Sequence, residues 1–191
     1  MKDRAAAAPP AVAVRPATPA DAAQIARVHI ESWQTAYRGL VPQSILDGLS
    51  VERRAEFWSP RLLEPGETRT WLGEQDREIV GFVATGRASD PELPPDTAEV
   101  ESIYLLARSR GQGVGRLLLR TATRDLVERG FATAILWVFT ANDSARRFYE
   151  AAGWQPDGTA QMLDFDGTAI EEIRYRIDLA RRPSGTSQAH E

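Results

Sequence analysis

The run Ile103, Tyr104, Leu105 and Leu106 is apolar, β-prone and unbroken, the pattern of a strand buried on both faces. Further on the rhythm changes. Val114, Leu118, Ala122 and Leu126 recur every four residues, as one face of an amphipathic helix requires. Between the two patterns Gly111, Gly113 and Gly115 occupy alternate positions, removing side chains where the backbone turns from strand to helix. Ala132–Phe139 then reads as a second buried strand. A strand–helix–strand unit of this kind predicts that its two strands lie parallel.

The flanking segments are readable in the same terms. Val12–Arg15 gives a short first strand. Thr18 as N-cap, Pro19 at the first position and Asp21 in the first turn open a helix whose apolar rhythm runs to Tyr37, and Gly39 ends it. Val41–Leu49 reads as a turn of helix and a loop, and Ser50 caps another helix that stops before Pro60. Thr70–Glu74 and Ile79–Arg87 flank a polar segment and predict an antiparallel hairpin. Pro91, Pro94 and Pro95 make Ala88–Asp96 a loop. After Phe139, Asn142 or Asp143 caps a helix that Gly153 stops, and Trp154–Phe165 with Ile170–Leu179 form a last hairpin. The fold class expected is α/β, with a mixed, mostly antiparallel sheet around one parallel β-α-β unit and helices flanking it. Residues 11–180 form a single domain, between a disordered Ala- and Pro-rich segment at 1–10 and a polar, flexible tail at 181–191.

Composition narrows the chemistry. The 191 residues are 42% hydrophobic and 26% charged, ordinary values for a soluble globular domain. A formal charge of −4 argues against nucleic acid as the main partner, although the glycine turn carries a local basic patch. With no cysteine, disulfides, thiolate metal sites and a cysteine nucleophile are excluded. The two histidines are His29, read as a packed or surface residue in a helix, and His190 in the tail. No metal site is therefore expected. No apolar run is long enough to span a bilayer, and the N-terminus lacks the apolar core of a signal peptide, so a cytoplasmic location away from membranes is the default expectation.

A helix that starts in glycines presents free N–H groups and the positive end of its dipole, which suits an anion such as phosphate. Arg108, Arg110 and Arg116 add to that attraction. Two common phosphate motifs fail by position. A P-loop needs Lys and then Ser or Thr after its last glycine, whereas Arg116 and Leu117 stand here. A G-x-G-x-x-G fingerprint counted from Gly111 would place its third glycine at Arg116.

The turn instead resembles the acetyl-CoA motif R/Q-x-x-G-x-G/A of the GNAT-type N-acetyltransferase family. It fits as Arg108-Ser109-Arg110-Gly111-Gln112-Gly113, and again as Arg110-Gly111-Gln112-Gly113-Val114-Gly115. The stretch E-V-E-S-I-Y-L before it looks like the family's fourth strand. N-D-S-A-R-R-F-Y-E-A-A-G-W, from Asn142 to Trp154, looks like the family's N-x-x-A-x-x-x-Y-E-x-x-G-F signature, with Trp154 for the usual Phe. One departure is that Leu105-Leu106-Ala107 replaces a common V-x-P.

This resemblance implies a GNAT-like acyl-CoA N-acyltransferase fold and transfer of an acetyl group from acetyl-CoA to a primary amine. The amides of Gly111–Arg116 would then take the pyrophosphate. Backbone groups of Ile103 and Leu105, on either side of Tyr104, would pair with the pantetheine arm, and Asn142 would contact CoA as well as cap its helix. Tyr149 matches the family's proton donor, with Phe148 as the core aromatic of the pair. Glu99 matches the general base of histone-type members, and Glu101, two residues on, shares its strand face if alternation holds. Either acid could instead sit at the solvated end of the strand. Trp33 and Tyr37, four apart on a helix, form either an aromatic wall for the acceptor or ordinary core. The acceptor, a small amine or a peptide amine, stays open. So does homodimerisation, a family habit. The reading from another class is a non-catalytic acyl-CoA-binding or sensing module on the same fold.

Overall fold

The computed structural model describes residues 12–64 and 66–179. The segments expected to be disordered or flexible, 1–10 and 181–191, lie outside the described residues, as does His190. Seven strands form one sheet: β1 (Val12–Pro16), β2 (Arg69–Gln75), β3 (Glu78–Arg87), β4 (Thr97–Leu105), β5 (Thr133–Phe139), β6 (Gln155–Phe165) and β7 (Thr168–Asp178). Their order across the sheet is β1-β2-β3-β4-β5-β7-β6. Neighbours are antiparallel except β4 and β5, which the crossover helix α4 (Val114–Glu128) makes parallel. The other helices are α1 (Ala22–Ala36), α2 (Gln43–Asp47), α3 (Val51–Leu63) and α5 (Asp143–Ala151). Among the described residues no helix is long and apolar enough to cross a membrane.

Strand register tells the two faces apart. Phe82 pairs with Tyr104, and both rings lie against His29 of α1, while Trp58 of α3 meets Phe82 edge-on at 5.2 Å. Gly81 pairs with Leu105 on the opposite face, where α4 packs. The four-residue stripe of α4 is buried completely: Val114, Leu118, Ala122 and Leu126 are 0% exposed. The helix sits so close that a Cβ on Gly73 of β2 would come within 2.9 Å of Val114 Cγ1. Glycine there is a packing requirement.

Several local expectations are corrected. The helix after Ser50 does not stop before Pro60 but continues to Leu63. Proline removes a single helical donor, and Ser59 Oγ donates to the Ala55 carbonyl in the same stretch. The first long helix ends at Ala36, short of Gly39. Ile103, Tyr104 and Leu105 are half-buried, not covered on both faces. The cause is the pairing of β4 with β5, which extends only from Thr97↔Thr133 to Glu99↔Ile135. Beyond Glu99 the strands part, and the rest of β4 has an edge with no strand beside it.

The start of α1 is tied to β1 by one carboxylate. Asp21 accepts two hydrogen bonds from the Arg15 guanidinium, one from the Thr18 N–H and one from the Thr18 hydroxyl, each at 2.8 Å. The Arg15 guanidinium is the largest cause of an Asp21 pKa lowered from 3.8 to about 2, against the opposing effect of burial. A depressed folded-state pKa stabilises above the unfolded value and is lost as pH falls through the folded one. Urea unfolding should therefore show stability declining between about pH 4 and pH 2 in the natural protein, and Asp21→Asn should remove about 2 kcal/mol at neutral pH together with that dependence.

Candidate active site

A cavity of about 1000 Å³ opens where β4 and β5 diverge. The glycine turn lies at one end and Glu99 with the aromatic rings of α1 at the other. Gly111 and Gly113 have φ of +75° and +87°, and nothing lies within 4 Å of a Cβ built on either. The left-handed backbone lets the turn start α4 with its first N–H groups free of helical partners. Gly115 has another role: it lies inside the helix facing the Phe148 ring, 3.6 Å from where a Cβ would be.

The structure gathers most of the predicted cofactor residues on this cavity: Ile103, Tyr104, Leu105, Arg110, Gly111, Gly113, Gly115, Arg116 and Asn142 all line it. Arg110 and Arg116 are exposed and have no ion-pair partner among the described residues. Three residues do something else with their side chains. Arg108 turns away to pair with Glu78. Gln112 is held by Gln75 at 2.6 Å and by the Arg108 carbonyl at 2.7 Å, and Ser109 Oγ donates to Gln75 Oε1, so these amides brace the turn from behind. Val114 is core. Asn142 caps α5, its Oδ1 accepting from the Ala145 N–H, and lines the cavity as well.

Phe148, expected as the core aromatic of α5, is the less buried of the pair. Tyr149 is buried and Phe148 half-buried, and both line the cavity. Burial, followed by the neighbouring Tyr104 phenol, raises the Tyr149 pKa.

The two glutamates of β4 also separate in role. Ala84 pairs with Ser102 and Thr85 with Val100, leaving Glu101 as an extra residue, a β-bulge. Glu99 therefore shares a face with Ser102 and Tyr104. The Glu101 carboxylate stays close to Glu99 but is engaged: Arg61 donates to it at 2.6 Å and Thr68 at 3.1 Å. Glu99 has no ion-pair partner among the described residues. Burial, then the charge of Glu101, raise its pKa, while a backbone hydrogen bond from Ser89 opposes them.

Trp33 and Tyr37 both line the cavity and both pack. Their rings meet edge-on at 4.9 Å, and Tyr37 touches Phe139 at 4.9 Å. Ser32 Oγ, also in the cavity wall, is buried without a hydrogen-bond partner among the described residues. His29 lies behind the wall, stacked on Tyr104 at 4.6 Å, and burial lowers its pKa to about 3, so it is a neutral packing residue.

The sequence reading missed the far wall, where Gln161, Phe165 and Glu172 complete the cavity. Glu172 is 8% exposed, with Oε1 accepting from Gln161 Nε2 at 2.6 Å. The available signal was parity: on β7 it falls in step with Ile170, a position where an apolar residue is expected. Among the described residues no group of three or more His, Asp or Glu is arranged to hold a metal ion.

Comparison with known proteins agrees with this geometry. The profile of the acetyltransferase (GNAT) family matches residues 30–154. An uncharacterised N-acetyltransferase of Bacillus subtilis, YuaI, is 29% identical over 85% of this chain and 90% of its own length. One from Archaeoglobus fulgidus is 33% identical over 71% of this chain and 88% of its own. Among solved structures, the PaiA N-acetyltransferase of Thermoplasma acidophilum in complex with coenzyme A superposes with a TM-score of 0.72 at 18% identity, over 88% of this chain and 99% of that one. The ribosomal-protein-alanine N-acetyltransferase of Brucella melitensis gives 0.70 at 19%, over 87% and 99%. The fold is that of an acyltransferase. The chain belongs to the GNAT acetyltransferase family.

Replacing Gly113 by Asp puts a carboxylate into the glycine turn that borders the cavity. Calorimetric titration with coenzyme A should show affinity reduced about 100-fold or more, through charge repulsion and bulk. Unchanged affinity would place the pyrophosphate elsewhere.

Proposed function

We propose that the protein transfers an acetyl group from acetyl-CoA to a primary amine by direct attack on the thioester. The observation that carries this is the parting of β4 and β5. It leaves a bare strand edge leading from an anion cradle at Gly111–Arg116 to a carboxylate at Glu99 that has no ion pair among the described residues. A pantetheine arm carries amides along an extended chain, so it can add to that edge much as a further strand would. The PaiA structure, which holds coenzyme A on the same fold, supports this use of the cavity.

The residues divide the work as follows. The backbone of Gly111–Arg116, with Arg110 and Arg116, binds the pyrophosphate. An amide at Leu105 polarises the thioester carbonyl. Glu99 takes the proton of the incoming ammonium, directly or through a water; that ammonium has a pKa of roughly 10.4 in water, so a carboxylate with a raised pKa is the better acceptor. As the nitrogen attacks, the C–S bond breaks, and Tyr149 protonates the departing thiolate. The Tyr149 phenol, its pKa raised by burial, carries its proton at neutral pH. Glu101 is the weaker candidate for base, since Arg61 already holds its carboxylate. It would instead assist by raising the Glu99 pKa.

Thiol release from acetyl-CoA across an amine panel tests the reaction. Tight coenzyme A binding with no release on any amine would favour the sensing module. Tyr149→Phe should lower kcat by about 10²-fold while acetyl-CoA affinity holds, and a fully active variant would remove Tyr149 from the acid role. For the base, kcat/KM should climb as pH rises through the Glu99 carboxyl, above the ordinary glutamate value. Glu99→Gln should lower the rate by about 10²-fold or more and flatten that limb of the profile.

A further inference from the structure

We infer that Glu172 anchors a second positive charge on the acceptor, so that the preferred substrates are short aliphatic diamines over monoamines. This rests on the acetyl-transfer reading above and names the substrate class of that site. Register puts Glu99 opposite Ile135 on β5, and Glu172 opposite Phe139 on the same strand. Paired residues share a face, and Ile135 and Phe139 are an even number of residues apart, so both carboxylates project from one face into one cavity. Their backbones are separated by roughly 13 Å along β5, with two side chains reaching in from the ends. A ligand with a reacting nitrogen at one end and a cation at the other spans that gap.

The charges argue for a cationic ligand. Glu172 adds its negative charge to those raising the Glu99 pKa, and burial raises its own. Neither acid has an ion-pair partner among the described residues. Arg174, on the same face of β7, pairs with Asp157 at 2.7 Å and Asp90 at 3.5 Å, and its guanidinium lies over Trp137. Arg174 is thus divided between Asp157 and Asp90, and Glu99 and Glu172 keep their negative charge uncompensated in the cavity. A buried acid without a counter-charge is costly, and a ligand ammonium lowers that cost. The walls suit such a ligand, since Trp33, Tyr37, Phe139 and Phe165 form a contiguous ring cluster beside Glu172. Gln161 fixes one Glu172 oxygen, and the other has no protein hydrogen bond among the described residues.

The test compares 1,4-diaminobutane with butylamine, and adds a short peptide carrying a free α-amine. With the natural protein, kcat/KM should favour the diamine by about 30-fold or more, mainly through KM. In Glu172→Gln that ratio should fall to near one while acetyl-CoA affinity persists, which reports an intact fold. Equal use of diamine and monoamine, preference for the peptide amine, or a ratio that survives Glu172→Gln would each overturn this inference and leave acetyl transfer standing. If no amine releases thiol, it is the acetyl-transfer reading that fails. Calorimetric titration of the diamine into the coenzyme A-loaded protein then decides the anchor: binding lost in Glu172→Gln supports it, and no binding to the natural protein overturns it.

Discussion

The structure turns on two adjacent parallel strands that stop pairing after Glu99. A sheet normally satisfies every backbone donor and acceptor except at its outer edges, and here an edge is exposed in the middle. The divergence stays open because both strands are held from their other sides. β4 pairs with β3 along its length, and β5 pairs with β7 from Thr133 to Phe139. Helices on the two faces wedge the gap: α5 with Phe148 and Tyr149, and α1 with Trp33 and Tyr37. Each working part of the site borders this gap. The glycine turn follows directly from the loose end of β4, Glu99 stands at the point where pairing ends, and the aromatic wall faces the side chains that the missing strand would have covered.

Much of this was legible in the chain. The four-residue rhythm from Val114, the glycines before it and the caps at Thr18, Ser50 and Asn142 are local signals, and local signals survive into the fold. The parallel unit followed from handedness and connection length. What could not be read depends on contacts between distant segments. Apolarity cannot tell whether Ile103–Leu106 is covered by a neighbouring strand or by a cofactor, because both coverings want the same residues. The direction of Arg108 is decided by Glu78, thirty positions away, and that of Gln112 by Gln75. Glu172 carried a faint signal of parity, with nothing local to separate a buried acid from a solvated one. Phe148 and Tyr149 are neighbours on one helix, and which of them goes deeper is set by Trp154 and Tyr175, against which Tyr149 packs.

Electrostatically the cavity has two ends of opposite character. Arginines and helix N–H groups gather at the glycine turn, while Glu99, Glu101, Asp90 and Glu172 gather toward the acceptor side. A donor rich in phosphate and an acceptor that begins as an ammonium would each be drawn to its own end, so orientation is decided before any close contact forms. Arg61 neutralises Glu101 and Arg174 reaches Asp90, which leaves Glu99 and Glu172 without an ion pair among the described residues.

The extra residue in β4 has a consequence for how this site is encoded. Alternation would have placed Glu99, Glu101, Ile103 and Leu105 on one face. The bulge shifts the phase by one position, so that Glu99 shares its face with Tyr104, while Leu105 turns to the layer beneath, where α4 lies. Glu99 and the Ile103 and Leu105 positions are therefore written in opposite reading phases of a single strand. Substitutions on one side of Glu101 can alter the surroundings of Glu99 without changing which face Ile103 and Leu105 present. Gain or loss of a single residue there would exchange the two faces at once.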